Sequence, residues 1–191
     1  MAYNDYIPEK NIWADKVIKW ISDISTVVVL ALFLCIYLGD RVEITGSSMY
    51  PVLENSEKVL VDKISYSLKA PKRFDIIVYK SKSENNQYYI KRIIGLPGEC
   101  VTITDSKIYI TSSDGEKWEL KDPYCTVDKF ESGYAENTVY VGGNEYFVLG
   151  DNRNLSEDSR FSYVGNISKD DILGKAWFIV SPIKKLGFVS N

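Results

Sequence analysis

The strongest limit on what this chain can fold into is an uncharged apolar run at 24–39, Ile-Ser-Thr-Val-Val-Val-Leu-Ala-Leu-Phe-Leu-Cys-Ile-Tyr-Leu-Gly. Its apolar side chains fall on every side of a helix rather than along one stripe, so such a helix has no polar face to turn to water. With Trp20 and Ile21 extending it, the run reads as a transmembrane anchor over residues 20–39. A span needs about 20 residues at about 1.5 Å each, so the flanks must take part, with Lys19 snorkelling and Asp23 near the headgroups. A cleavable leader fits less well, because no small-x-small site follows the run before Gly46. Lys10, Lys16 and Lys19 precede the run and Arg41 alone follows closely. That asymmetry predicts a cytoplasmic tail over residues 1–19 and an extracytoplasmic body over residues 40–191, anchored in the cell membrane by a single pass.

Beyond the anchor come short runs rich in β-branched and aromatic residues, at 42–45, 58–62, 75–79, 87–94, 101–104, 107–111, 145–149 and 172–180. Turn signals at Asp114-Gly115, Asp122-Pro123, Gly133 and Gly142-Gly143-Asn144 separate them. The fold class expected is mainly β, an antiparallel β-sheet domain preceded by one N-terminal transmembrane helix. The chain's 191 residues allow one ordinary domain plus the anchor. A net charge of −3 argues against a nucleic-acid surface. Cys100 and Cys125 lack metal-site spacing, so no metal and no cofactor is expected; whether the two thiols pair stays open.

The chain has no histidine. Ser-His-Asp and Cys-His chemistry is therefore excluded, and any nucleophile must be activated by a lysine, a carboxylate or a metal. The run Gly46-Ser47-Ser48-Met49-Tyr50-Pro51 places a small hydroxyl residue, Ser48, between glycine and proline. Lys91 lies in Tyr88-Tyr89-Ile90-Lys91-Arg92-Ile93-Ile94, which reads as a strand. Alternation sets Lys91 beside Tyr89 and Ile93, with Arg92 on the other face beside Ile90 and Ile94, so one of the two charges must face inward. Lowering a lysine from about 10.4 to near 7 or 8 takes roughly 3 to 5 kcal/mol of desolvation and charge effects, which an Ile/Tyr face can supply.

These runs resemble the type I signal peptidases of bacteria, the Ser/Lys-dyad enzymes of family S26. Ser48-Met49-Tyr50-Pro51 is similar to the family's nucleophile box, Phe74-Asp75-Ile76-Ile77-Val78-Tyr79 to its next strand, and Tyr89 through Glu99 to its lysine box. Gly150-Asp151-Asn152-Arg153-Asn154-Leu155-Ser156-Glu157-Asp158-Ser159-Arg160 is similar to its last box. The resemblance implies a membrane-bound serine endopeptidase that cuts signal peptides from exported preproteins after small residues. The translocon would deliver these preproteins beside membrane lipid, with no part for nucleic acid. It implies Ser48 as nucleophile, Lys91 as general base and Ser156 orienting the amine. Asp158, Arg160, Asp151, Arg153 and Arg92 would be charged supports, and Met49 and Tyr50 neighbours of the substrate pocket.

The chain departs from the pattern at two positions. Gly46 stands where some members carry a serine that donates to the oxyanion, so backbone N–H groups, that of Ser48 among them, must do more. Val52 stands where many members have threonine, a packing change. Ser181-Pro182-Ile183-Lys184 matches the S-x-x-K pattern of penicillin-binding proteins, but its proline argues against a helix presenting both side chains. A self-cleaving repressor with the same dyad would need a DNA-binding helix pair, and a catalytically dead β module that binds peptides would tolerate loss of Ser48 and Lys91.

Overall fold

Two runs of the sequence, one of them carrying Lys91 and Arg92, become the centre of the molecule. Ile76 to Tyr79, and Ile90 through Gly95, are buried at every position, so both faces of these strands are covered. The structure, a computed structural model, describes residues 12–38, 40–81 and 87–189. Its strands are β1 (Arg41–Glu43), β2 (Lys58–Asp62), β3 (Ile76–Lys80), β4 (Tyr88–Gly95), β5 (Cys100–Thr104) and β6 (Lys107–Thr111). They continue with β7 (Lys117–Leu120), β8 (Val139–Tyr140), β9 (Glu145–Leu149), β10 (Ile167–Ser168), β11 (Ile172–Ser181) and β12 (Gly187–Phe188). The larger sheet runs in the order β1-β2-β11-β3-β4-β9-β10, with β12 also on β11, and the smaller in the order β7-β6-β5-β8. All pairings are antiparallel.

Register assigns each buried residue of the central strands to a face. Ile76 opposite Arg92 and Val78 opposite Ile90 share one face, and Ile77 opposite Lys91 and Tyr79 opposite Tyr89 share the other. The first face packs with Val42, Met49, Leu53, Val59, Val61 and Ala176, and the second with Ile93, Tyr146, Val148 and Ile167. Ile94, Phe147 and Leu149 join Val101, Ile103, Ile108 and Ile110 in a third cluster that fastens the smaller sheet to the larger. The alternation read from sequence is therefore found. Instead of one charge facing inward, however, both Lys91 and Arg92 are buried, at 3% and 0% exposure, because β4 is covered on both sides.

The chain divides into units 1–37 and 38–191. The first holds helix α1 (Ile12–Leu38). The helix begins inside the stretch read as a tail, where Trp13, Val17, Trp20, Ile21 and Ile24 recur at three- and four-residue spacing, a helical period. Residues 1–11 of that tail lie outside the described residues. Among the described residues no helix is long and apolar enough to cross a membrane. Asp15, Lys16, Lys19 and Asp23 occupy its first half, which shortens the uncharged part.

The strands expected at 58–62, 107–111 and 145–149 have those limits, and the other five differ by one or two residues at an end. Strands β7, β8, β10 and β12 were not legible. Three of them are two residues long, and β7 has no buried position to give alternation. Cys100 and Cys125 are free thiols.

Gly95 sits at a register shift between β4 and β9. A Cβ there would lie 2.6 Å from Val101 Cγ2 and 2.9 Å from Phe147 Cβ. Gly95→Ala is expected to cost about 1–3 kcal/mol through overpacking at the junction of the sheets, read as a lowered urea midpoint with unchanged m-value.

Candidate active site

The loop after β1 is tied at both ends before it presents any chemistry. Gly46 takes φ +91, a conformation that favours glycine, and its N–H donates to Asn55 Oδ1 at 2.8 Å. Ile44 N–H donates to the Glu57 carbonyl and Ser56 N–H to the Ile44 carbonyl, both at 2.8 Å. Between these ties Met49 and Leu53 are driven into the core, so Ser48 is held by the burial of its neighbour.

The β4–β9 ladder ends at the pair Arg92 and Leu149. Past it the strands part, with Lys91 on one side and Gly150 on the other, and the Ser48 loop enters the gap. Asn152 N–H donates to the Ser48 carbonyl at 3.0 Å, which fixes the loop to the segment after β9. Lys91 Nζ lies 2.9 Å from Ser48 Oγ, so the residues read from sequence as nucleophile and base are in hydrogen-bond contact. Gly150 makes this approach possible: a Cβ there would meet the Ser48 carbonyl oxygen at 2.5 Å and clash with Ser156 Oγ.

Burial lowers the Lys91 amine to about 8. The charges of Asp158 and Glu157 work against that by favouring the ammonium, with Asp151 acting in the same sense and Arg160 opposing them. Among the described residues no carboxylate is salt-bridged to the amine, and its ring neighbour is Tyr89, 5.8 Å away. A lysine in this setting is neutral in a useful fraction of molecules near neutral pH.

The remaining residues of the last box form a buried frame. Arg92 donates from Nε and Nη2 to the two oxygens of Asp151 at 2.8 and 2.7 Å and from Nη1 to the Phe74 carbonyl at 2.8 Å. Its guanidinium lies 3.6 Å from the centre of the Tyr124 ring. Burial pushes the Asp151 carboxyl up, against the pull of Arg92. Asp158 accepts from Arg160 Nε and Nη2 at 2.8 and 3.0 Å and from Gly150 N–H at 3.1 Å. Arg160 also donates to the carbonyls of Glu131 and Arg153 at 2.9 and 2.6 Å. Arg153 pairs with Asp122 and donates to the Gly150 carbonyl at 2.9 Å. Ser156 Oγ is buried beside Gly150 and makes no hydrogen bond among the described residues, so it does not touch the amine here.

Sequence reasoning missed Asp122, Tyr124, Glu131 and Phe130, whose ring centre lies 5.1 Å from the Arg153 guanidinium and 5.6 Å from that of Arg160; they complete this frame from a stretch read as loops and short strands. Asp122 precedes a proline and looked like turn chemistry, and Glu131 acts through its carbonyl, which no sequence pattern reports.

A cleft of about 570 Å³ opens beside the Ser48–Lys91 pair, walled by Ile44, Thr45, Met49, Tyr88, Ile90 and Leu173. Met49 forms part of that wall from within the core, whereas Tyr50 is exposed and not among the lining residues. Two strand edges border the cleft. β1 is the last strand of its sheet, and β4 from Tyr88 to Lys91 has a strand partner only on the β3 side among the described residues.

Two stability measurements test this arrangement. Arg92→Leu leaves the Asp151 carboxylate buried and alone, and is expected to cost about 3–5 kcal/mol in chemical denaturation, with Arg92→Leu/Asp151→Leu recovering most of the loss. The folded Lys91 amine titrates near 8, below the 10.5 of a free lysine, so the unfolded chain binds more protons across that window and stability rises with pH through it. Lys91→Met is accordingly expected to stabilise the fold at pH 7 by on the order of 3 kcal/mol, a gain that shrinks as pH climbs above about 8.

Comparison with known proteins places this geometry. The family model described as "Signal peptidase, peptidase S26" matches residues 17–181. A signal peptidase I of Leptolyngbya laminosa is 35% identical over 174 residues, covering 87% of this chain and 81% of its own. Signal peptidase I P of Bacillus subtilis subsp. natto is 34% identical, covering 90% of this chain and 92% of its own. A crystal structure of a signal peptidase I from Enterococcus faecalis V583 superposes with a TM-score of 0.45 at 34% identity, over 56% of this chain and 97% of that one. With a family model spanning most of its length and relatives matched nearly end to end, the chain belongs to the signal peptidase family, peptidase S26.

Proposed function

We propose that the chain is a serine endopeptidase that removes signal peptides from exported preproteins, with Ser48 as nucleophile and the neutral amine of Lys91 as general base. The single observation that carries this reading is the 2.9 Å separation of Nζ and Oγ in a corner buried enough to bring the amine to about 8. Membership of the signal peptidase family supports the substrate class.

In the forward step Lys91 Nζ takes the Ser48 proton as Oγ adds to the scissile carbonyl carbon. The oxyanion is met by backbone N–H groups, that of Ser48 included, since Gly46 has no side chain to offer. The Lys91 ammonium then gives its proton to the departing amine, which releases the mature protein and leaves an ester on Ser48. Water attacks the ester with Lys91 again accepting the proton, which it then returns to Ser48 Oγ as the C–Oγ bond breaks and the signal peptide leaves with a free carboxyl terminus. Ser156, whose buried hydroxyl makes no hydrogen bond among the described residues, would turn to the amine and orient it during this cycle. The frame of Arg92, Asp151, Arg153, Asp158 and Arg160 holds Gly150 and the Ser48 carbonyl in register without touching the reacting atoms.

The two strand edges that border the cleft suit an extended peptide, which would lie alongside β1 and β4. Met49 contributes to the cleft that excludes large side chains, so cutting follows small residues. Tyr50 lies at the outer margin of the same loop. Attachment to the cell membrane through residues 20–39, with the body of residues 40–191 outside and the tail of residues 1–19 inside, belongs to this reading. It is supported by the uncharged run at 24–39 and by a helix whose side chains from Asp15 to Phe33 are all exposed. Preproteins would then arrive from the translocon beside the lipid surface.

Purified full chain in detergent is expected to cleave a preprotein whose signal ends in Ala-x-Ala, with kcat/KM rising as pH approaches about 8 and the amine loses its proton. Ser48→Ala is expected to be inactive. Lys91→Arg should fold but lose on the order of 10²–10⁴-fold in kcat, because a guanidinium cannot give up its proton at these pH values. Full turnover by Lys91→Arg, or a flat profile from mildly acid to alkaline pH, would rule out the base assignment.

A further inference from the structure

Residues 181–185 do no chemistry in the reading above, yet they lie against the loop that carries Ser48. Pro182 leads into a single 3-10 turn, Ile183–Lys185, and not into a helix of the kind the S-x-x-K pattern needs. From that turn Lys185 Nζ reaches Glu54 Oε1 at 2.7 Å and Glu57 Oε1 at 2.9 Å. The Glu57 side chain is only 4% exposed, and its second oxygen accepts the Glu54 N–H at 2.9 Å. Four residues past Lys185, the buried Val189 packs in the same cluster as Met49 and Leu53, and its N–H donates to the Trp177 carbonyl at 2.9 Å.

We infer that this C-terminal turn is a clamp on the nucleophile loop and that Lys185 is a positioning residue for Ser48; the inference rests on the reading of Ser48 as the nucleophile. An ion pair open to water on both sides contributes little, because solvent and side-chain entropy cancel most of it. This one differs on its acidic side. The Glu57 carboxylate is buried, it organises the backbone of Glu54, and its main chain closes the base of the loop through Ile44. Without the Lys185 cation, the Glu57 carboxylate is left almost fully buried with its charge unmatched, beside a second carboxylate that shared the same cation, and the loop must shift to admit water. Met49 and Leu53 lie on the side of the loop that Val189 covers, so the shift passes to the residue between Ser47 and Met49. Lys91 stands on β4, outside the clamp, and keeps its own surroundings of Asp158, Glu157, Arg160 and Asp151. The clamp therefore sets the place of the hydroxyl and leaves the basicity of the amine alone.

The test compares Lys185→Met and Lys185→Arg with the wild-type full chain on one signal-peptide substrate, with active sites counted by a serine-directed acylating probe. Lys185→Met is expected to lose on the order of tenfold in kcat per active site with KM within about twofold, as a displaced nucleophile does. Lys185→Arg should restore most of the rate, and the acid limb of the pH profile should stay in place in both variants. A purely structural role would lower the number of active sites and the melting temperature while leaving kcat per site alone. Unchanged kcat per site in Lys185→Met, or an equal loss in Lys185→Arg, overturns the clamp. Should Lys185→Met fail to fold, Glu54→Gln, which keeps the Glu57 pair, is expected to lose about two- to threefold in kcat per site, and a wild-type value there overturns the clamp equally. Ser48→Ala run alongside separates the two ideas: turnover by that variant would sink the assignment of the nucleophile itself.

Discussion

A two-pronged ion pair sealed from water, Arg92 to Asp151, is what the rest of the site depends on. Both partners have fully buried side chains, and each prong is an ordinary charge-assisted bond of 2.7–2.8 Å. A buried pair of this kind contributes little to stability compared with apolar packing. Its value is geometric. It fastens the segment after β9 to the strand that bears Lys91, and the planar fork of arginine sets the orientation as well as the distance. Because the neighbouring residue on β4 points to the opposite face, securing Arg92 also fixes where Lys91 stands.

The remaining charged residues divide into two kinds. Arg160 donates to carbonyls and to Asp158, and Arg153 to the Gly150 carbonyl and to Asp122, so each of these carboxylates already holds a cation. Lys91 is given no such partner. Its amine is left with a serine hydroxyl and a tyrosine ring, and desolvation outweighs the attraction of carboxylates that are already engaged elsewhere. The same frame thus pairs Arg92, Arg153 and Arg160 each with a carboxylate and leaves the Lys91 amine without one among the described residues.

Much of this was legible in the sequence because it depends on short-range pattern. The alternation through Tyr89, Lys91 and Ile93 set the faces of β4, the absence of histidine restricted the choice of base, and runs rich in β-branched and aromatic residues marked the central strands. What stayed hidden depends on contacts across many residues. Nothing around Asp122 distinguishes an acid that receives Arg153 from one that merely begins a turn. Gly150 read as part of a motif, while its need to lack a Cβ follows from the Ser48 carbonyl and Ser156 lying on either side of it. Two-residue strands such as β8 and β10 exist only as pairing partners and have no periodicity of their own. The first turns of α1 read as a tail because their charges masked an apolar face spaced at helical intervals.

The edges of β1 and β4 beside the Ser48–Lys91 pair have, on the proposed reading, a consequence for what can enter. A polypeptide coiled into a helix has already committed its amides internally, and one lying inside a folded sheet has no side left over. Neither can lie down between two strand borders. Only chain that has been drawn out straight can do so, whatever its sequence. On the proposed reading the cleft therefore sorts by backbone shape first and by side-chain size second, and a finished globular protein would be safe from it even where its surface carries suitably small residues.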